Sequence, residues 1–173
     1  EKGAQEVGAV NTIKIQNGQL LGFNSDTFGF GQSLFHFLKG DSQQIKGALV
    51  LGTGGAAKAV VYILKKLDIP FKMVSRSAEK GDLTYQKITP EILKNHQLIV
   101  NTTPLGTFPN VDSCSVLPYE LLTSKHYLFD LVYNPEKSLF LANGEKQGAN
   151  ICNGLEMLHL QAEKSWEIWN RNV

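Results

Sequence analysis

Gly47-Ala48-Leu49-Val50-Leu51-Gly52-Thr53-Gly54-Gly55-Ala56-Ala57 is the stretch on which the fold turns. Gly47–Leu51 carries no charge and does not alternate, so it reads as a short strand buried on both faces. The chain then passes through glycines into helical spacing from Ala56 to Leu67, with Ala57, Val60, Val61 and Leu64 on one side. Gly52 permits a tight strand-to-helix turn, Gly54 lets backbone approach a pyrophosphate, and Ala57 keeps helix and strand close. Amides at the helix start add donors and positive potential. Gly52, Thr53, Gly54, Gly55, Ala56 and Ala57 therefore read as a dinucleotide cradle. A P-loop is excluded, because Lys58 follows Ala57 rather than Gly and precedes Ala59 rather than Ser or Thr.

Working outward, strands are expected at Pro70–Ser75, Leu98–Asn101, Tyr127–Val132 and Gly148–Ile151. Helices are expected near Pro90–Asn95, Pro118–Leu122 and Ser138–Gln147. This alternation predicts an α/β fold, a doubly wound parallel sheet of Rossmann type. The second strand ends in Ser75-Arg76-Ser77. A carboxylate there would accept from ribose hydroxyls, whereas an arginine flanked by hydroxyls suits a 2′-phosphate, which selects NADP over NAD. Asn101-Thr102-Thr103-Pro104-Leu105-Gly106 and Asp130-Leu131-Val132-Tyr133-Asn134-Pro135 follow strands, at the carboxyl edge where open sheets bind ligands.

The first residues read differently. Val7–Ile15 and Gln19–Phe23 are expected as strands around the hairpin turn Gln16-Asn17-Gly18. Thr27–Leu38 has helical spacing, with Phe28, Leu34, Phe35 and Leu38 on one face, Ser25 or Asp26 as cap, and Gly40-Asp41-Ser42 as stop. The Phe28, Phe30, Phe35 and Phe37 cluster reads as helix core. The last helix, Gly154–Trp169, offers Leu155, Leu158, Ala162, Ile168 and Trp169 as core contacts. Asn11 in a strand is unusual enough to suggest a role. Asp26 is either a cap or a functional carboxylate, and Gln161 is either solvated or turned inward with Gly154 and Met157.

Composition narrows the function classes. The 173 residues include 17 Lys+Arg and 16 Asp+Glu, a formal net charge of +1, which gives no footprint for nucleic acid or anionic lipid. Lys58, Lys65 and Lys66 interrupt the best apolar stretch, so no membrane span is expected. Two separated cysteines, Cys114 and Cys152, suit a reducing cytoplasm. His36, His96, His126 and His159 show no metal spacing, so no metal is expected, and no G-x-S-x-G elbow supports a serine hydrolase.

The ordered set Gly8-Ala9-Val10-Asn11-Thr12, Gly22-Phe23-Asn24-Ser25-Asp26, the glycine turn, Ser75-Arg76-Ser77, the Asn101–Gly106 loop, the Asp130–Pro135 loop and Asn153-Gly154-Leu155-Glu156-Met157-Leu158 with Gln161 strongly resembles the shikimate dehydrogenases from about Val7 onward. The resemblance implies NADPH-dependent reduction of 3-dehydroshikimate to shikimate, in aromatic amino-acid and chorismate biosynthesis. It implies a substrate domain represented by residues 1–25, an NADP domain at 26–153 that includes a hinge helix at 26–39, and a helix at 154–173 returning to the substrate domain. Asn11, Asp26, Tyr133 and Gln161 would touch substrate, with Asp26 also catalytic. Gly52 to Ala57, Ser75, Arg76, Ser77, Asn101, Thr102, Thr103, Leu131, Gly154 and Met157 would touch NADP.

The family's catalytic lysine lies well upstream of the Asn11 motif, and its carboxylate-binding serine pair lies near the family's N-terminus, while only ten residues precede Asn11 here. Lys2 stands at the wrong spacing. The chain, which begins without Met, is thus expected to be an N-terminally truncated form that binds NADP(H) without turnover. Its first 25 or so residues are expected to be poorly covered or paired with another chain, leaving a homodimer open. Ser25 replaces the family's usual threonine, and Thr107 stands where methionine often follows the glycine. A quinate-using relative and a non-catalytic NADP-binding module are the alternative readings.

Overall fold

The computed structural model describes residues 2–40 and 42–171. The expected helix stop at Asp41, the first residue of the 1–25 segment and the last two of the 154–173 segment lie outside the described residues. The chain opens with α1 (Lys2–Val7), then β1 (Thr12–Gln16) and β2 (Gln19–Phe23), an antiparallel pair closed at Asn17 and Gly18, both at positive φ. Helix α2 (Asp26–Phe37) leads to β3 (Ala48–Leu51), α3 (Gly55–Lys66), β4 (Phe71–Ser75), β5 (Leu83–Thr84) and α4 (Pro90–Asn95). After β6 (Leu98–Asn101) come β7 (Tyr127–Asp130), α5 (Leu139–Lys146), β8 (Asn150–Cys152) and α6 (Leu155–Asn170).

Strands β3 to β8 form one sheet in the order β5-β4-β3-β6-β7-β8, with every pairing parallel. Counted within the sheet this is 3-2-1-4-5-6, the doubly wound order whose direction of travel reverses between β3 and β6. The faces separate residue by residue. Ala48 and Val50 of β3 join Leu98, Val100 and Phe129 beneath α2, α3 and α6, whereas Leu49 and Leu51 join Ile99 and Leu128 beneath α4 and α5. All four β3 residues are fully buried, which is why that run shows no polar alternation.

Several expectations are corrected. Lys2–Val7 is helical, so the first strand begins at Thr12 rather than Val7, and Asn11 lies just before it. Gly8 at φ 67° separates the two elements, which a strand from Val7 would not allow. Pro118–Leu122 is only a 3₁₀ turn at Tyr119–Leu121, and β5 was not anticipated, since two residues carry no periodic signal.

The packed faces of α2 and α6 also differ from the apolar stripes. Phe30 and Leu34 are buried in α2, together with Gly29 and Ser33, while Phe28 and Phe35 are exposed. Phe30 and Phe37 meet Phe129 edge-on at 5.2 and 6.1 Å between ring centroids. In α6 only Met157 is buried, and Leu155, Ala162 and Trp169 are exposed. Close approach decides this interface: a Cβ on Gly29 would lie 2.6 Å from the Met157 carbonyl oxygen and 3.1 Å from Gln161 Cβ.

The hairpin is held to α6 largely by polar contacts. Lys14 Nζ donates to the Ile168 carbonyl at 3.0 Å and to that of Arg171, meeting the exposed end of the helix dipole. Trp169 Nε1 donates to the Ile13 carbonyl at 3.0 Å. The opposite face of the hairpin, with Ile13, Ile15 and Leu20, is uncovered, whereas Ala4, Val7, Thr12 and Lys14 of the same segment are buried.

Gly29→Ala would gain about 1 kcal/mol of helix propensity. The clash with backbone costs typically about 1–3 kcal/mol or more and should win. Gly31→Ala meets only Ile63, no closer than 3.4 Å, and should keep the gain. Thermal melts are therefore expected to shift in opposite directions, by about 2–4 °C per kcal/mol.

Candidate functional site: the carboxyl edge of the sheet and the start of helix α2

The carboxyl ends of β3 and β6 lie side by side at the reversal of strand order. Gly52 leaves β3 at φ 104°, and a Cβ there would lie 2.8 Å from Thr102 Oγ1 and 3.0 Å from Thr103 Cγ2. Only glycine satisfies both constraints. Thr102 donates its amide and its hydroxyl to the Leu51 carbonyl, at 2.9 and 2.7 Å, joining the two loops. A Cβ on Gly54 or Gly55 would meet nothing within 4 Å, so the cradle opens outward. Gly54 caps α3 without a side-chain acceptor, and the first-turn amides have no partner from a capping side chain.

At the end of β4, Ser75 is buried and its Oγ accepts from the Ser77 amide at 3.2 Å. Ser77 Oγ in turn accepts from the Glu79 amide. Arg76 between them is exposed, and among the described residues its guanidinium has no ion pair. An unspent guanidinium beside an open glycine turn fits the 2′-phosphate of a dinucleotide, so the residues present suit the implied NADP.

On the β6 and β7 side the polar groups are buried and committed. Asp130 is wholly inaccessible and Asn101 is 1% exposed. Asn101 Nδ2 donates to Asp130 Oδ1 at 2.8 Å, the Val132 amide donates to the same oxygen at 3.0 Å, and Ser138 Oγ donates to Oδ2. Asn101 Oδ1 accepts from the Thr103 amide at 3.1 Å and from its hydroxyl at 2.7 Å. Burial pushes the Asp130 carboxyl above its ordinary pKa, against the pull of its three donors. Gly154 sits where a Cβ would be 2.2 Å from the Leu131 carbonyl oxygen, which brings α6 to the β7 loop beside half-buried Leu131. Met157 is buried one turn on, and Tyr133 is 47% exposed on that loop.

A second polar group gathers at the start of α2. Asn11 Oδ1 accepts from the Ser25 amide at 2.8 Å, and the Asn11 side chain also hydrogen-bonds Asp26. Ser165 Oγ lies 2.8 Å from Thr12 Oγ1 and 2.9 Å from Ser25 Oγ, which places Gln161, one turn earlier on α6, beside Gly29. Asn11 and Asp26 thus meet at the α2 N-terminus, and Gln161 reaches the same helix one turn on, beside Gly29. Among the described residues no hydrogen bond joins Tyr133 to them, and the Gln161 carboxamide has no partner. The expected cap is corrected: Ser25 stands at the N-cap position without capping, because its hydroxyl is spent on Asn11, Thr12 and Ser165, and Asn24 Oδ1 accepts from the Thr27 amide instead.

Lys58, not among the residues expected at the site, donates to the Gly8 carbonyl at 2.9 Å and ties the first turn of α3 to the segment before Asn11. A cavity of about 650 Å³ beside Thr27, Phe28 and Gly31 contains none of the nominated residues. Among the described residues no cluster of three or more His, Cys, Asp or Glu could hold a metal, and no helix is long and apolar enough to cross a membrane.

No family model matches the chain. It is 34% identical over 183 residues to the NADP(+) shikimate dehydrogenase of Methanococcus maripaludis, covering 98% of this chain and 64% of that protein. A solved shikimate dehydrogenase in complex with NADP+ superposes with a TM-score of 0.85 at 30% identity, covering 98% of this chain and 64% of its own. Shikimate 5-dehydrogenase from Thermus thermophilus, solved with NADP(H) and shikimate, gives 0.76 at 32% identity, covering 98% and 65%. The chain spans about 64% of the length of the curated relatives it matches.

Burial raises the pKa of the Asp26 carboxyl, and the hydrogen bond with Asn11 opposes the rise. Between the unfolded value and the raised one, the folded chain binds more protons than the unfolded, so Asp26 makes stability fall as pH rises. The melting temperature of Asp26→Asn relative to the parent is therefore expected to increase from about pH 4 to about pH 7. A difference that stays flat or shrinks over that range would contradict this.

Proposed function

We propose that this chain, similar over its whole length to shikimate dehydrogenases and related to them across the part it spans, carries the nucleotide site and part of the substrate site of an enzyme that reduces 3-dehydroshikimate to shikimate with NADPH. The observation that carries the reading is the open glycine turn at the reversal of strand order with an unspent Arg76 at the end of the neighbouring strand. Residues 26–153 form the NADP-binding domain in this reading. Residues 1–25 and 154–173 belong to the substrate-binding part.

Each residue has a role that follows from its place. Amides of Thr53 to Ala57 at the start of α3 hold the pyrophosphate, with Gly52 shaping the turn. Arg76, with Ser75 and Ser77, holds the 2′-phosphate. Thr102, Thr103, Leu131, Gly154 and Met157 form the wall on the nicotinamide side, with buried Asn101 behind them. NADPH supplies the hydride. Asn11, Asp26 and Gln161 bind and orient substrate hydroxyls, with Tyr133 at the carboxylate end. Asp26, whose proton is retained to higher pH than an ordinary carboxyl, also orients the acid that protonates the developing alkoxide. The reading carries a cytoplasmic location, and a homodimer through the uncovered hairpin face is its quaternary form.

A non-catalytic NADP-binding module would share the glycine turn and Arg76. The Asn11, Asp26 and Gln161 group favours the enzyme, because a module has no use for three polar side chains converging on a polyol. Shikimate titrated into the NADP+-saturated chain is expected to bind, and to bind more weakly after Gln161→Ala. An NADP+-saturated chain indifferent to shikimate would favour the module.

Arg76→Ala is expected to weaken NADP+ by about 10- to 100-fold, the worth of a charge-assisted contact, with NAD+ changed by less than about twofold. Calorimetric titration with both nucleotides checks this, and a parallel loss of NAD+ would remove Arg76 from the 2′-phosphate.

A further inference from the structure

We propose that Asp130 is a positioning residue for the nicotinamide half of the nucleotide, acting through Asn101 on the Thr102–Gly106 loop; the proposal rests on the nucleotide reading above. Asp130 cannot touch a ligand, being wholly buried, and Asn101 is almost as inaccessible. What they do is set an orientation. The carboxylate accepts from Asn101 Nδ2, the Val132 amide and Ser138 Oγ. With its Nδ2 held there, Asn101 must turn Oδ1 toward Thr103, where it accepts both the amide and the hydroxyl. Thr103 Oγ1 accepts in turn from the Leu105 amide. Reversing the Asn101 carboxamide would set an NH2 against the Thr103 N–H, so the acceptor oxygen of Asp130 enforces one loop geometry.

The same carboxylate reaches the other wall through Ser138, whose Oγ accepts from the Leu141 amide at the start of α5 and whose Cβ stands behind Gly106. A buried carboxylate is expensive, and an apolar side chain would fill the space at lower cost. Joining three loop ends by one acceptor is something no apolar side chain does.

The direction of the effect follows from the sheet. A dinucleotide lying across the reversal of strand order has its adenosine end over β4, at Arg76, and its other end over β6 and β7. The Asn101–Gly106 loop therefore borders the nicotinamide half and not the adenosine half. Loss of the Asp130 relay should be felt by NADP+ and not by adenosine 2′,5′-bisphosphate, which lacks the nicotinamide.

Asp130→Asn keeps the shape and replaces one acceptor oxygen by a donor. It is expected to weaken NADP+ about tenfold while changing the bisphosphate by no more than about twofold, both measured by calorimetry alongside the thermal melt. Asn101→Ala removes the middle of the relay with the carboxylate intact, gives the same selective loss, and decides the matter if Asp130→Asn does not fold. Equal loss of both ligands in step with the melting temperature would mean a merely structural carboxylate and overturn the proposal. Unchanged NADP+ affinity in the folded variants would overturn it as well. A parent chain that binds neither ligand would instead overturn the nucleotide reading on which the proposal stands.

Discussion

The contact between the β3 and β6 turns is the constraint on which the rest depends. Two fully buried parallel strands release their chains at the same level, and the loops must diverge to opposite sides of the sheet. At the point of divergence Thr102 satisfies the Leu51 carbonyl twice, and the missing Cβ of Gly52 makes room for it. A larger residue at position 52 would push the β6 loop away from the crevice and leave that carbonyl to find another donor. The open cradle at Gly54, the exposed Arg76 and the wall beyond Asn101 are all placed relative to this one close approach.

Legibility in the sequence followed the physics of burial. β3, β6 and β7 are buried on both faces, so their apolar runs could be read without context, and the helices between them showed themselves by spacing; the structure adds the caps Thr89 and Ser138. Elements whose placement rests on tertiary contact were not legible. α1 has six residues and buries only Ala4 and Val7, so its spacing does not outweigh the strand-like run that follows. The packed face of α6 runs through Met157, Gln161 and Ser165, because glycine and serine on α2 admit close approach. An apolar stripe through Leu155 and Leu158 points elsewhere.

The candidate site divides along the same line. Residues whose type is itself unusual could be singled out: glycines where a strand should become a helix, an arginine where a carboxylate is common, an asparagine beside a strand. The hydrogen-bond relays could not, since sequence shows that Asp130 and Asn101 end adjacent strands but not that one spends its charge on the other. Lys58 and Ser165 gave no signal at all. Each is an ordinary polar residue on a helix, and each acquires meaning only from a partner more than forty positions away.

That pattern bears on how the two polar groups are held in register. The hairpin has an uncovered apolar face, and a two-stranded ribbon alone is marginal. Its position is set by directional contacts: Lys14 on the carbonyl end of α6, Trp169 on Ile13, the hydroxyls of Thr12, Ser25 and Ser165, and Lys58 on Gly8. Hydrogen bonds fix angle and distance where apolar packing tolerates sliding. Asn11 is carried at the start of the hairpin, Asp26 at the start of α2 and Gln161 on α6, so their three elements are held by polar contacts of the hairpin and by the close approach of α6 to Gly29. Lys58 extends the arrangement to the glycine turn. The glycine turn and the group around Asn11 are thereby joined by one hydrogen bond, from the first turn of α3 to the backbone that precedes Asn11.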